Sequence, residues 1–255
     1  MARLPRLNLP GYPHLVLQSG HNSQPIALGA PDYQQLLQLI EAGAARHRVA
    51  LHAWCLLPTR FMLLLTPSTE EGLPLLMQDT GRAYVRYFNG LHARTGTLWD
   101  GRYRCTVLDP ARWTLPAMVC MDTEPVRRGL VLQPDAYPWS SCARYTGLRP
   151  QAGLTAPAAL WELGNTPFAR ENAYRRLLDE GDALALWPRL LDAALHERAT
   201  AGIAIGVGES NASLSGGLGR SHGWTAQMGA HGALRLATPL GGMVVQGGAA
   251  LTFLD

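Results

Sequence analysis

The sequence contains no lysine, so all 22 of its basic residues are arginine. It is also poor in charge, with 16% charged residues against the roughly 25% that is usual in soluble proteins. Residues 1–150 carry 15 Arg and 10 acidic residues, whereas residues 151–255 carry 7 and 9. The basic surplus of the first part permits nucleic-acid binding. On charge alone, however, a codon bias toward arginine explains it better.

Long apolar runs and closely spaced cysteines are missing as well. No stretch approaches 18 consecutive apolar residues, which argues against a transmembrane helix. The first residues, MARLPRLNLPGYP, are basic but have no apolar segment, so we expect no secretory signal. The four cysteines form no CxxC pair, which argues against a zinc knuckle and a dense disulfide framework. Together these absences predict a cytoplasmic protein.

Apolar residues make up 47% of the chain, enough to bury a sizeable core. The 27 glycines are unevenly placed, since 13 of them lie within residues 201–255. That stretch has no lasting helical or strand period, apart from a loose hairpin predicted over residues 241–254. We therefore expect a Gly-rich tail over residues 202–255, to which the sequence assigns no function.

Hydrophobic periodicity predicts the order β-α-β-β-α-β-α over the first half of the chain. The predicted strands span residues 14–19, 49–57, 60–66 and 103–108. The predicted helices span residues 32–47, 70–93 and 110–123. The last helix should end at Thr123, because the residue before Pro125 avoids the helical region. This order is typical of an α+β fold of the ferredoxin-like type, an antiparallel sheet with helices on one face.

A change in pattern near residue 150 divides the chain into three predicted parts. Residues 1–148 form the α+β domain, residues 149–201 a helical C-terminal appendage of two or three helices, and residues 202–255 the tail.

Five segments occur in an order that resembles a known family. They are PGYPHLVLQSGHN, VALHAWCLLPTRFMLLLTP, RAYVRYFNGLHARTGTLWDGRYR, EPVRRGLV and AYPWSS. Together they resemble the single-tyrosine transposases of the HUH superfamily, most closely the REP-associated tyrosine transposase branch. The resemblance covers about residues 3–148 and continues more weakly to about residue 200.

The resemblance implies metal-dependent cleavage and transfer of single-stranded DNA beside a hairpin. In this family a tyrosine on a helix attacks the phosphate, and Mg or Mn polarises that phosphate. Two His at i and i+2 of one strand hold the metal, with a polar residue four positions after the tyrosine. Residues i and i+2 on a strand share a face, as do i and i+4 on a helix, so all four groups can meet at one ion.

This sequence departs from the family at all four of these positions. The two His are replaced by Arg60 and Met62, the tyrosine by Cys120, and the last ligand position is Glu124. A guanidinium has no lone pair for a cation, a thioether suits Cu(I), and a lone carboxylate binds a hard cation weakly. We therefore expect no intact catalytic residue, no metal site and no cofactor.

Each replacement also has a simple structural explanation. Cys120 is typical of a buried small apolar residue, and Met62 of a core side chain. Arg60 should share a face with Met62, where a contact with a phosphate is a minority hypothesis. A lone His52 is more often structural than a ligand. Asp122 and Glu124 do not share a helix face, so we expect them at a solvated helix end.

The segments implied to contact DNA keep their basic residues. Arg82 and Arg86 lie one helical turn apart, with Tyr84 between them and Tyr87 and Phe88 just beyond, which suits phosphate contact with base stacking. An exposed arginine face over an aromatic core face explains the same spacing equally well. From the resemblance, the expected DNA contacts are Arg3, Arg6, Tyr12, Arg82, Arg86, Arg94, Arg102, Arg104 and Arg127.

Three hypotheses follow. The first is a protein of this family that binds hairpin or single-stranded DNA and does not cleave it. The second is a working nuclease that uses Cys120 as nucleophile and Glu124 for a metal. The third is a decayed gene copy without selected activity, which the motif-free, Gly-rich residues 202–255 would suit if they derive from a frameshift.

Overall fold

The computed structural model describes residues 8–196 together with 225–228, 233–238 and 241–246. Four strands form an antiparallel sheet in the order β2-β3-β1-β4. The strands are β1 (His14–Ser19), β2 (Val49–Leu57), β3 (Arg60–Pro67) and β4 (Arg104–Val107). Each lies within two residues of its predicted bounds, and the α+β fold with an antiparallel ferredoxin-like sheet is confirmed.

Two of the three predicted helices cover one face of the sheet, whereas the third covers the other face. They are α1 (Ala30–Arg46) and α2 (Gly72–Leu91). Asp32 fixes the start of α1, since its carboxylate accepts from the backbone N–H of Leu28 at 2.7 Å. The same carboxylate bonds His92 at 2.9 Å, which links the beginning of α1 to the end of α2. The helices approach closely at Gly43, where a Cβ would lie 2.6 Å from a Leu76 methyl group.

The other face of the sheet is covered by α3 (Pro110–Arg127), which begins at the N-cap Asp109. The prediction that this helix ends at Thr123 is wrong, because it continues through Pro125 for another turn. The preference of a pre-proline residue is a bias of the backbone. Here Glu124 bonds Arg127 and Arg128 in the following turn, and that pairing holds the segment helical.

Later helices pack over α3 on this same face. They are α4 (Cys142–Tyr145), α5 (Ala158–Trp161), α6 (Pro167–Glu180) and α7 (Trp187–Leu195), with a 3₁₀ turn at Asp182–Leu186. Tyr174, Trp187 and Leu190 join one core with the α3 face of the sheet. The predicted appendage therefore completes the core over α3. None of the helices in the described part of the chain is long and apolar enough to cross a membrane.

Three further strands form a separate antiparallel sheet in sequence order. They are β5 (Thr225–Met228), β6 (Ala233–Thr238) and β7 (Gly241–Gln246). β7 pairs with β6, the strand that precedes it in the chain. The predicted hairpin, in contrast, lay wholly within residues 241–254. The second half of that predicted hairpin lies outside the described residues.

Candidate nucleic-acid interface

A groove of about 1150 Å³ runs between α2 and the segment of residues 99–103. Exposed Arg82 and Arg86 line it from α2, and exposed Arg102 lines it from the facing segment. The structure therefore brings together three of the arginines that were expected to contact DNA. The remaining lining residues are Asn8, Gln18, Phe61, Glu70, Glu71, Pro74, Leu75, Met77, Gln78, Gly81, Val85, Trp99, Gly101 and Tyr103.

The aromatic side chain best placed in this groove is Trp99. Its indole N–H donates to the carbonyl of Gly81 at 3.3 Å, and its ring stacks on Tyr84 at 5.8 Å. An edge-on contact with Phe61 at 5.6 Å also fixes the ring. Trp99 is therefore a rigid, partly buried aromatic surface among cationic side chains, an arrangement that suits a nucleobase beside its phosphates.

Two of the three aromatic residues next to the α2 arginines belong to the core. Tyr84 and Phe88 are 0% and 1% exposed, and the Tyr84 hydroxyl donates to the carbonyl of Ile26 at 2.6 Å. Arg82 and Arg86 thus form the exposed face of a helix whose aromatic face is buried, the second of the two explanations for their spacing. Sequence reasoning missed Trp99 and Tyr103, although both belong to the TGTLWDGRYR motif, because only its arginines were considered.

The other expected DNA contacts are dispersed. Arg94 donates to the Gln24 side chain at 3.1 Å and lies over the Phe88 ring. Arg104 pairs with Leu17 in the sheet, which places it on the α3 face, opposite the groove. Burial, and secondarily Asp109, raises the pKa of the partly buried Tyr12 to about 12. Arg3 and Arg6 lie outside the described residues.

The positions that correspond to the family's catalytic residues meet on the α3 face. Met62 and Cys120 are both 0% exposed and belong to the same core. The Cys120 thiol donates to the carbonyl of Ala183 at 3.0 Å, so the 3₁₀ turn before α7 covers it. Burial raises the pKa of this thiol to about 12, which leaves it protonated at neutral pH.

Glu124 is 6% exposed and fully engaged. One carboxylate oxygen accepts from Arg128 at 2.8 Å, and the other accepts from Arg127 and from the Trp187 indole N–H at 3.0 Å. Asp122, two residues earlier, is 0% exposed and accepts from the Tyr174 hydroxyl at 2.7 Å. The prediction that these two carboxylates lie at a solvated helix end is therefore wrong, because α6 and α7 cover this end of α3.

Arg127 belongs to the same closed arrangement. Besides pairing with Glu124, it donates to the carbonyl of Cys120 at 3.1 Å and lies 5.1 Å over the Trp187 ring. His52 is likewise structural, since its ring nitrogens bond the Thr155 carbonyl and the Thr66 hydroxyl, each at 2.7 Å.

The residues at the four catalytic positions do not fit a Mg or Mn ion. Arg60 is a cation, and Met62 and Cys120 are buried in the core. Both carboxylate oxygens of Glu124 already accept hydrogen bonds from Arg127, Arg128 and Trp187. Across the described residues, no group of three or more His, Cys, Asp or Glu side chains could hold a metal ion.

No family model and no curated protein matches the chain. Solved structures that are similar to it include the following two. A REP-associated tyrosine transposase bound to a REP hairpin shares 18% identity at a TM-score of 0.47, covering 62% of this chain and 93% of its own. A candidate transposase from Deinococcus radiodurans R1 shares 17% at 0.34, covering 51% and 92%. At this level of identity the function must be inferred from the chain's own residues.

Proposed function

We propose that this protein binds hairpin or single-stranded DNA as a non-cleaving relative of the single-tyrosine transposases. The observation that carries the proposal is the groove between α2 and residues 99–103. It places Arg82, Arg86 and Arg102 around the rigid indole of Trp99. Guanidinium groups beside an aromatic surface suit a flexible strand, because its phosphates and its bases can be bound at once.

The closed state of the α3 face supports the absence of cleavage. The residue at the nucleophile position is a protonated, buried thiol, and the carboxylate at the ligand position is held by three donors. A nuclease that uses Cys120 and Glu124 would need both groups to face solvent and DNA. These contacts therefore favour binding without cleavage over the working nuclease.

A binding titration tests the proposal. Fluorescence anisotropy with a labelled DNA hairpin that carries a single-stranded extension should show binding at low salt, unaffected by chelation of divalent metal. The double variant Arg82→Ala/Arg86→Ala should bind about a hundredfold more weakly, because each of the two charged contacts that are lost weakens binding about tenfold. The slope of log K against log salt should fall by about 0.7 to 0.9 for each phosphate contact removed.

The matched control is Arg144→Ala/Arg176→Ala, which removes two exposed arginines on α4 and α6. Equal weakening by both double variants would mean that only net charge matters, which would refute the groove as the site. Absence of binding by the wild-type chain at low salt would refute DNA binding altogether. Incubation with Mn and labelled single strands should yield no nick and no covalent adduct, and either product would restore the nuclease hypothesis.

A further inference from the structure

Three guanidinium groups and one carboxylate lie together where β3 begins and α3 ends. Arg127 and Arg128 both bond Glu124. Arg60, the first residue of β3, lies close enough to Arg128 and Glu124 to interact electrostatically with both. Three positive charges thus share one negative charge, which is itself occupied by donors. The cluster has a surplus of positive charge next to a partly buried surface.

Within the described residues, Arg60 is the arginine of this cluster that is not paired with the carboxylate of Glu124. Within the described part of the chain, its guanidinium forms no hydrogen bond or ion pair. Burial first, and then the neighbouring Arg128, lowers the pKa of Arg60 below its ordinary value, while Glu124 raises it. A guanidinium nevertheless stays protonated. A half-buried cation that faces another cation lacks the anion that would offset its desolvation.

The ends of the strands connect this cluster to the groove. Arg60 precedes Phe61, which lines the groove from the opposite face of the sheet. Arg60 also pairs with Ser19, whose neighbour Gln18 lines the groove as well. Arg60 therefore adjoins the groove-lining end of the sheet, with its side chain on the α3 face.

We propose that Arg60, flanked by Arg128, binds a phosphodiester group in the single-stranded part of the DNA, an inference that rests on the proposed function. The planar fork of a guanidinium matches two phosphate oxygens, and the fixed charge offsets that of the phosphate without a metal ion. Inorganic phosphate has the same binding chemistry and is the second source that the experiment must separate.

The experiment compares Arg60→Gln, Arg60→Lys and the control Arg144→Gln in the full chain. With the extended hairpin, Arg60→Gln should weaken binding about tenfold and lower the salt slope by about 0.7, the value for one single-strand phosphate. Arg60→Lys should restore the slope, since it keeps the charge, and Arg144→Gln should change neither quantity. A second series of DNA probes places one neutral methylphosphonate at each linkage of the extension in turn. At one linkage, the substitution should weaken binding by the wild type as much as Arg60→Gln does. The same probe should bind Arg60→Gln no more weakly than unmodified DNA does.

A thermal shift with inorganic phosphate separates failure of this inference from failure of the proposed function. Stabilisation of the wild type but not of Arg60→Gln, with no DNA binding, would keep the anion site and assign it to free phosphate. Normal DNA binding by Arg60→Gln with an unchanged slope would overturn the inference and leave the proposed function standing. If Arg60→Gln does not fold, the methylphosphonate series on the wild type decides, and equal affinity at every linkage overturns the inference.

Discussion

On the α2 side of the sheet, Arg82 and Arg86 are exposed along an open groove, whereas on the α3 side Arg127 and Arg128 are bound to Glu124 beside α7. The same residue type thus has two roles in one fold. The arginines that line the groove with Trp99 are exposed, as the proposed contact with DNA requires. Arginines paired with Glu124 and stacked on Trp187 hold helices together. The side of the sheet on which an arginine lies therefore determines whether a carboxylate is close enough to pair with it.

The two sides also differ in what their side chains do for the fold. On the closed side, α7 and the preceding 3₁₀ turn supply Trp187 and Ala183 as partners for Glu124 and Cys120. Those contacts stabilise the fold, so the side chains on the α3 side have a structural role. The groove contributes little to the core, because its arginines are exposed. Stability and binding should therefore respond to different substitutions.

The largest expected effect is on the closed side. Glu124→Ala should lower the free energy of unfolding by about 2–3 kcal/mol, because it leaves two arginines and an indole N–H without their acceptor. The arginine side chains are 29% and 32% exposed, so the cost should fall below that of a fully buried pair. For a chain of this size we expect Tm to fall by about 5–10 °C.

Differential scanning calorimetry checks this. Glu124→Gln, which keeps an acceptor and removes the charge, should give an intermediate Tm. Arg82→Ala/Arg86→Ala should leave Tm within about 2 °C of the wild type, as is usual for exposed substitutions. An unchanged Tm for Glu124→Ala would break the comparison between the two sides.

The four strands of the sheet were readable from the sequence, whereas the closed α3 side was not. Two short apolar runs joined by the Pro58–Thr59 link sufficed to place β2 and β3. Asp122 and Glu124 lie within three residues of Pro125. The backbone preference of the residue before a proline indicated that the helix ends there, with both carboxylates in solvent. Their partners, Tyr174 and Trp187, lie more than 50 residues later in the chain. No periodicity within α3 carries that information.

The groove was predictable only in part, for the same reason. The helical spacing of Arg82 and Arg86 placed them on one face, but periodicity could not say what lies opposite. Arg102 and Trp99 reach them through the path of a loop. Arg104, two residues after Arg102, lies on the other face of the sheet because β4 has begun by then. Adjacent basic residues in a motif can therefore serve different surfaces.

Measured per pH unit, the next effect in size is a pH dependence of stability that Asp122 confers on the closed side. Burial raises the pKa of this carboxyl to about 7. Hydrogen bonds with the side chains of Tyr174 and Cys142 oppose this rise but are the smaller effect. Between about pH 4 and pH 7 the folded chain holds a proton that the unfolded chain releases. The contribution of Asp122 should therefore fall by about 1.4 kcal/mol per pH unit as pH rises, and level off above pH 7.

The measurement is the difference in unfolding free energy between wild type and Asp122→Asn from pH 4 to pH 8.5. The difference is needed because two buried histidines also make stability depend on pH. Burial lowers the pKa of His14 to about 4 and also lowers the pKa of His52. Below about pH 6.5 these histidines make the unfolding free energy rise with pH, which is opposite to the effect of Asp122. A wild-type excess that shrinks with rising pH supports the assignment. A constant difference would mean that Asp122 is charged in the fold throughout this range.

The smallest expected effect concerns Arg94, which tests where the open side ends. Its guanidinium already has an acceptor in Gln24 at 3.1 Å and lies 5.4 Å above the Phe88 ring, beyond the residues that line the groove. A charge held in this way has less to gain from a phosphate, so Arg94→Ala should weaken DNA binding by less than about threefold and leave the salt slope unchanged. Gln24→Ala, which releases the guanidinium and keeps its charge, is the matched variant. If Arg94→Ala lowers the slope as Arg82→Ala does, and Gln24→Ala does not, the interface runs along the whole of α2, and the groove is only the part of it that is concave.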